Sequence, residues 1–263
     1  MVRGTGYGVR GFLEADLAPS NLAPRTFMYK TDLHIHTILS PCGDLSMSPQ
    51  NIVDTAVSRS LHIIGITDHN STRQAPLVKK IGEKKGLLVL CGCEITSKEE
   101  AHCLAFFKDD ETLGEFQKFL DQHLPDIPNH TDKFGYQVVV DENEEIIYEE
   151  PRLLLSALNV DLDGLYNEVH RLNGIFIPAH IDKPSTSLMS QLGFVPPDIK
   201  ADGMELTRHI TPEKFIKRFA YLKKFKFIQS SDAHFLDAIG ETFMELELSE
   251  LSFEGVRAFF SRS

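Results

Sequence analysis

Short apolar runs alternate with longer amphipathic stretches along most of this chain. "YKTDLHIHT" from residue 29, "LHIIGITDH" from 61, "LLVLCGCEIT" from 87 and "AHCLAFF" from 101 read as strands. So do "IFIPAH" from 175, "DGMELT" from 202, "KFIQSSDAH" from 226 and "FMELEL" from 243. Between them the apolar positions take helical spacing. In "SPQNIVDTAVSRS" Ser48 can cap a helix, Pro49 suits its first position, and Ile52, Val53, Ala56 and Val57 share one face. "APLVKKIGEKKG" predicts a helix ending near Gly86, and "DETLGEFQKFLDQHL" one with Leu113, Phe116, Phe119 and Leu120 turned inward. "VDLDGLYNEVHRLNG", "TPEKFIKRFAYLKK" and "FEGVRAFFS" complete the helical set. Strands alternating with helices imply βα units and a mainly parallel sheet, and roughly seven or eight such units favour a closed α/β barrel over an open sheet.

Two segments break the rhythm. "FGYQVVVDENEEIIYEE", residues 134–150, predicts a β-hairpin turning near Asp141 to Asn143, an excursion from the barrel. The first 28 residues are rich in Gly and Pro with little periodicity, which predicts a loose arm or leader whose last residues could start a strand. The rest, residues 29–263, is expected to form a single domain.

Composition narrows the functions. With 42% hydrophobic and 25% charged residues in 263, the chain can bury a large core. Against 27 Lys and Arg stand 38 Asp and Glu, a net charge of −11, which disfavours a non-specific binder of phosphate backbones. No apolar run is long enough to span a membrane and no signal-peptide core stands out, so no membrane partner is expected. Four cysteines in this length suggest a reducing compartment, by default the cytoplasm, rather than a disulfide scaffold.

The polar residues that interrupt the strands carry the chemistry. His34 and His36 stand at i and i+2 of a strand and so point to one side. Asp232 and His234 repeat that spacing in "SSDAH". His69 in "ITDHN", Glu94 in "CEIT", His102 in "AHCLAFF" and His180 in "IPAH" lie between them, nearly all closing an apolar strand. In a parallel barrel the strand ends meet at one mouth, where these imidazoles and carboxylates would form the mixed N/O ligand set of Zn, Mn or Fe. Any one of these histidines alone reads as a hydrogen-bonded core residue; the coincidence at six strand ends does not. Asp32 and Asp68 are expected to orient imidazoles. His62, His123 and His170 have weaker context, and His209 after "ELTR" is a candidate for the mouth.

These motifs, in this order, resemble the polymerase-and-histidinol-phosphatase (PHP) domain family of metal-dependent phosphoesterases. The resemblance covers about residues 29 to 250. It implies a distorted (β/α)7 barrel of the TIM-like PHP type, with two or three divalent metal ions, Mn, Fe or Zn, at its mouth. It carries the family's ligand pattern onto His34, His36, Asp44, His69, Glu94, His102, His180, Asp232 and His234. Two assignments have alternatives. The family's third acid comes in a compact "SDG", whereas here "SPCGD" delays Asp44 and offers Cys42; and His130 in "PNHTDKFG" competes with His102. Cys91 and Cys93 read as small buried residues beside Glu94.

Such a centre would hydrolyse a phosphate ester by attack of a metal-bridging hydroxide on phosphorus, with the ions neutralising the ester's charge. The outer phosphate oxygens then need cations. Arg73, Lys183 and Arg208 each follow a strand, and with Asp68 they complete the candidate catalytic set. The expected partner is a small phosphorylated metabolite, cleaved as a monoester. The alternatives are a phosphodiesterase or DNA endonuclease of PHP type, which "GIFIPAHIDKPSTSLMSQLG" and the preceding hairpin resemble, and a non-catalytic metal-binding scaffold or regulator. The acidic balance makes nucleic acid the less favoured partner.

Overall fold

A computed structural model gives the fold, and it describes residue 1 and residues 25–261. The expected N-terminal arm therefore lies almost wholly outside the described residues. Its last two members already belong to β1 (Phe27–Ile35).

After β1 come α1 (Pro49–Ser58), β2 (Ile63–Ile66), α2 (Ala75–Lys84) and β3 (Leu88–Thr96). The three strands run parallel, with Thr31 opposite Ile63 and Ile63 opposite Leu88, as helix crossovers require. Ser48 caps α1 through its hydroxyl, and Ile52, Val53 and Ala56 are buried, but Val57 is exposed, one step off the inward face. β4 (His102–Phe107) breaks the expected parallel order. It follows β3 after the short loop 97–101 and returns antiparallel, with Glu94 opposite Leu104 and Thr96 opposite His102. A loop that short permits only a hairpin. His102 thus opens its strand rather than closing it, and the reversal is what brings it to the end where its partners lie.

The next elements are α3 (Asp110–His123), α4 (Thr131–Phe134), the antiparallel pair β5 (Val138–Val140) and β6 (Ile146–Glu149), α5 (Leu162–Arg171) and β7 (Ile175–Pro178). The hairpin's turn is held by Asp141, whose side chain accepts from the backbone of Asn143 and Glu145. α6 (Leu188–Leu192), a short helix that the sequence reading did not include, precedes β8 (Gly203–Leu206), α7 (Pro212–Arg218), β9 (Lys226–Gln229), β10 (Met244–Leu248) and α8 (Phe253–Ser261). The helix expected over residues 211–224 stops at Arg218, because Phe219 leaves the helical region and a tight turn at Ala220–Leu222 buries Leu222. β9 also ends early, at Gln229, leaving Asp232 and His234 in the loop beyond it.

One sheet has the order β10-β1-β2-β3-β4-β7, with β4 antiparallel to both neighbours and β10 antiparallel to β1. The parallel pair β8–β9 continues its curl. Asp202 N donates to Phe176 O and Ile181 N to Glu205 O, both at 2.9 Å, joining β7 to β8. His36 N donates to Ala233 O at 2.9 Å and Ala233 N to His34 O at 3.1 Å, tying the loop after β9 back to β1. The result is an α/β fold with a curled sheet whose two sides meet at the histidine-bearing end.

The strands are apolar on both faces, as strands covered on both sides must be. Ile64, Ile66, Val89, Cys91, Ala105 and Phe107 pack outward against α1, α2, α3 and α5. Leu33, Ile63, Leu90, Leu104, Phe106 and Ile177 pack within the curl. Phe106 fills that interior because two neighbouring strands present glycine to it. A Cβ on Gly65 would lie 2.8 Å from the Phe106 ring and 2.4 Å from Leu33 O, and one on Gly92 1.9 Å from Ala105 O. Gly92→Ala is expected to destabilise the fold by about 3 kcal/mol, a fall in melting temperature on the order of 5–10 °C at this chain length, measurable by calorimetry.

Candidate metal centre

Eight of the nine expected ligands converge. His34 comes from β1, His36 and His69 from just beyond β1 and β2, Glu94 from β3, His102 from the start of β4, His180 from just beyond β7, and Asp232 and His234 from the loop after β9. Glu94 is the hub. Its Oε1 lies 2.8 Å from His102 Nδ1, 2.9 Å from His180 Nε2 and 3.3 Å from His34 Nε2, and its Oε2 lies 3.1 Å from His69 Nδ1 and 3.5 Å from His36 Nε2. Asp232 Oδ1 approaches His34 Nε2 at 3.4 Å and His36 Nε2 at 3.5 Å. Three triads bring one donor atom each within 4.8 Å of one another: His36, His69 and His234; His34, His36 and Asp232; His69, Glu94 and His102. The last two share no residue, so two ions could be held without a shared ligand. His180 and Asp232 take positive φ, 28° and 53°, a conformation that costs a non-glycine residue and recurs at functional sites.

The surroundings set which nitrogen each imidazole presents. Glu205 on β8, 2% exposed, lies 3.0 Å from His34 Nδ1 through Oε2 and accepts from His180 N through the same atom. A carboxylate only accepts, so His34 carries its proton on Nδ1 and offers the Nε2 lone pair. Ser40 does the same for His36. Its hydroxyl donates to Asp68 Oδ1 at 2.7 Å, so its oxygen must accept from His36 Nδ1 at 2.9 Å. His34 Nε2 and His36 Nε2 then face each other at 3.2 Å, lone pair to lone pair. That contact is repulsive unless a proton or a cation lies between them, and two nitrogens bound at about 2.1 Å to one tetrahedral ion stand roughly 3.4 Å apart. His69 Nδ1 and His180 Nδ1 are buried without a hydrogen-bond partner, although His69 Nδ1 is near Glu94. The donors present fit divalent metal.

With protein groups alone, a proton takes the cation's place. Burial lowers the affinity of His34 for a proton, but Glu205, Glu94 and Asp232 outweigh it and hold His34 well above the ordinary imidazole range. Burial and then the His234 charge push His36 down to about 3, and burial takes His69 well below its usual value. Burial would raise Glu94, yet His102, His34 and His69 keep it well below the usual carboxylate range. Metal binding requires the hub ionised and its imidazoles neutral; Glu94, His36 and His69 are already in that state, and a bound ion would have to displace the proton from His34.

The remaining expected residues fall elsewhere. Asp44 is exposed. Its carboxylate accepts from Ser46 N at 2.8 Å, and only its backbone touches the cluster, donating to His234 O at 2.9 Å. Cys42 and His130 are exposed too, and neither belongs to a ligand triad; Cys91 and Cys93 are buried. All four cysteines are free thiols. Asp68 is buried: it anchors the loop after β1 through Thr37 N and Thr37 Oγ1, each at 2.7 Å, and through Ser40. Asp32 likewise accepts from Ser231 N and Gly240 N. Arg73 is turned away from the cluster. Asp121 takes its guanidinium at 2.9 and 3.1 Å, and the ring of Tyr148 lies 5.2 Å away, so it ties the loop after β2 to α3 and β6. Lys183 stays at the mouth, 2.9 Å from Asp232 Oδ2. Arg208 is exposed beside it, 3.3 Å from Glu241. His62 receives Lys30 N, His123 lies against Phe119 O and His170 against Asp202, all structural contacts. Sequence reasoning missed Glu205 and Ser40. The signal for Glu205 was a lone acid in "GMEL" between two fully buried residues, Met204 and Leu206.

The site and its frame define a protein of the α/β class built around a cluster of histidine and carboxylate side chains that could hold metal. The PHP domain model matches residues 32–191, and the chain belongs to the PHP domain family. An uncharacterised protein of Methanocaldococcus jannaschii is 34% identical over 93 residues, which cover 32% of this chain and 54% of that protein. The PolC-type DNA polymerase III of Ureaplasma parvum is 26% identical over 131 residues, 49% of this chain and 9% of the polymerase. Among solved structures, the lesion-specific endonuclease EndoQ of Pyrococcus furiosus superposes with a TM-score of 0.63 at 20% identity, over 90% of this chain and 57% of the endonuclease. A candidate metal-dependent phosphoesterase of Bifidobacterium adolescentis gives 0.56 at 20% identity, over 89% of this chain and 96% of its own. At this identity the likeness is one of fold. The chain spans about half the length of the archaeal relative and of the endonuclease. No described helix is long and apolar enough to cross a membrane.

Replacing Glu205 by Gln keeps the volume but frees the His34 tautomer. It is expected to leave the fold intact and to weaken metal affinity 10- to 100-fold, read by titration against a competing chelator.

Proposed function

We propose that the chain is a metal-dependent phosphoric ester hydrolase acting on a small phosphomonoester. The observation that carries the reading is the pair of disjoint ligand triads opening beside a cation, Lys183, at the mouth. The proposed ligands are His34, His36, His69, Glu94, His102, His180, Asp232 and His234, holding two or three ions of Mn, Fe or Zn. We take the frame as a distorted barrel of the (β/α)7 type, forming one domain from residue 29 onward.

Bound ions would neutralise the ester's charge and bring the pKa of water to around neutrality. The chain's own groups do the rest. Glu205 and Ser40 fix two imidazoles so that their Nε2 atoms face the reacting centre. Asp68 holds the loop that carries Ser40. Lys183 is kept charged: burial would lower it, but Asp232 raises it, and it is placed to bind a phosphate oxygen. Arg208, free to leave Glu241 at the surface, supplies a second oxygen contact. Water adds across the P–O bond, giving inorganic phosphate and the free alcohol, whose oxygen takes the proton.

A second reading is a DNA endonuclease, favoured by the fold likeness to EndoQ over nine-tenths of the chain. Against it stands the net charge of −11, since a long polyanion meets the whole acidic surface while a small ester responds to the mouth alone. Protein reconstituted with Mn, Fe or Zn is expected to hydrolyse p-nitrophenyl phosphate in preference to bis-p-nitrophenyl phosphate. The variant His34→Ala with His36→Ala should fold, lose metal and lose turnover by at least 10³-fold, about 4 kcal/mol. Metal-dependent cleavage of abasic or deaminated DNA without monoesterase activity would transfer the assignment to the endonuclease.

A further inference from the structure

His34 and His36 each have a side chain outside the cluster that fixes the ring, Glu205 and Ser40. His69 has none among the described residues: its ring meets Glu94 at 3.1 Å and otherwise other imidazoles. Its place is therefore set through its backbone. Ser40 Oγ takes His69 N at 3.1 Å, and the rest of the hold comes from the next residue. We infer that Asn70 is a positioning residue for one metal site, the triad His69, Glu94 and His102, and not for the triad His34, His36 and Asp232. This rests on the metal reading proposed above.

The geometry of Asn70 carries the argument. It is buried and takes φ 44°, in the left-handed region that Asn enters more readily than most side-chain-bearing residues. From that turn its polar groups reach three segments. Its backbone N donates to Glu94 O at 2.9 Å. Its Oδ1 accepts from Thr96 N at 3.0 Å. Its Nδ2 donates to Leu154 O at 2.8 Å and to Ser156 O at 2.9 Å, so both amide protons are used. Thr96 stands opposite His102 in the register of β3 and β4. All three ligands of the triad are thus tied to Asn70: His69 as its chain neighbour, Glu94 by a direct bond, and His102 through Thr96.

The following residues of the same loop work in other directions. Thr72 donates to Gln117 on α3 from its N at 2.6 Å and from Oγ1 at 2.9 Å, Arg73 bonds to Asp121 on α3, and Gln74 receives Val140 N on β5 at 2.8 Å. These bonds fix the loop to the outer layer, whereas Asn70 fixes it to β3. His34, His36 and Asp232 come from β1 and the loop after β9, and among the described residues Asn70 makes no hydrogen bond to either. A bound ion tolerates only about 0.5 Å of error in its ligands. Loss of the Asn70 side-chain bonds should therefore loosen one ion and spare the other.

The test titrates the metal-free chain and its variants with Mn and with Zn against a competing chelator, with folding checked by thermal melting. Asn70→Gly keeps the left-handed turn but removes the side-chain bonds. It is expected to weaken one ion by about tenfold or more and to leave the other within about threefold of the unsubstituted chain. Gln117→Ala, which loosens the same loop from α3, is expected to leave both ions within about threefold. Where Asn70→Gly does not fold, Asn70→Ser, which fills more of the space but is too short to span Thr96 and Leu154 together, carries the same expectation. An equal fall for both ions, no fall for either, or the same split in Gln117→Ala overturns the inference and leaves the metal reading standing. Loss of folding in both Asn70 variants marks the residue as structural and overturns it too. An unsubstituted chain that binds neither metal overturns the inference and the metal reading together.

Discussion

A single buried carboxylate organises this protein. Glu94 is 1% exposed, and imidazoles from His34, His36, His69, His102 and His180 stand within 3.5 Å of its oxygens. Burying an ionised carboxylate costs several kcal/mol unless it is paired and hydrogen-bonded. The chain answers with histidines drawn from four other segments. Those same histidines would repel one another without a proton or a cation between them, since His34 Nε2 and His36 Nε2 stand 3.2 Å apart. The hub, the ring of nitrogens and the need for positive charge are one requirement.

The fold follows from that requirement at the mouth. Parallel strands β1, β2 and β3 deliver His34, His36, His69 and Glu94 to one end. β4 can add His102 only by running backwards from a short loop, so its ligand is its first residue. The sheet then curls through β7, β8 and β9 until Ala233 bonds to β1 on both sides, which seats Asp232 and His234 against His36. Two buried acids outside the cluster, Asp32 and Asp68, hold the loops of this seam, and burial raises both above the usual carboxylate range, Asp32 to about 6. Backbone strain at Asp232 is tolerated because Ser231 beside it is pinned to Asp32, and at His180 because its N donates to Glu205.

Much of this was legible before any coordinates. The i, i+2 spacing of His34 and His36 and polar residues at the ends of apolar runs gave eight of the converging side chains and the barrel-like class. What could not be read was direction and partnership. Nothing in "AHCLAFF" states that its strand is antiparallel, since burial on both faces removes the period that distinguishes strand environments. Arg73 follows a strand as Lys183 does, but Asp121, far along the chain, claims it. Asp44 sits beside the cluster in sequence and in backbone, while the local turn draws its carboxylate to Ser46. Glu205 showed only as a lone acid inside an apolar strand, because its value lies in two contacts, to His34 and His180, distant in sequence.

The proposed role of this ring of nitrogens and oxygens is to hold metal. The direct measurement is elemental analysis of protein purified without chelator and then reconstituted with Mn, Fe and Zn in turn. Two disjoint triads predict two or more divalent ions per chain with at least one of these metals. Less than one equivalent with every metal would mean that a proton on His34, rather than a cation, resolves the cluster, and would contradict the account.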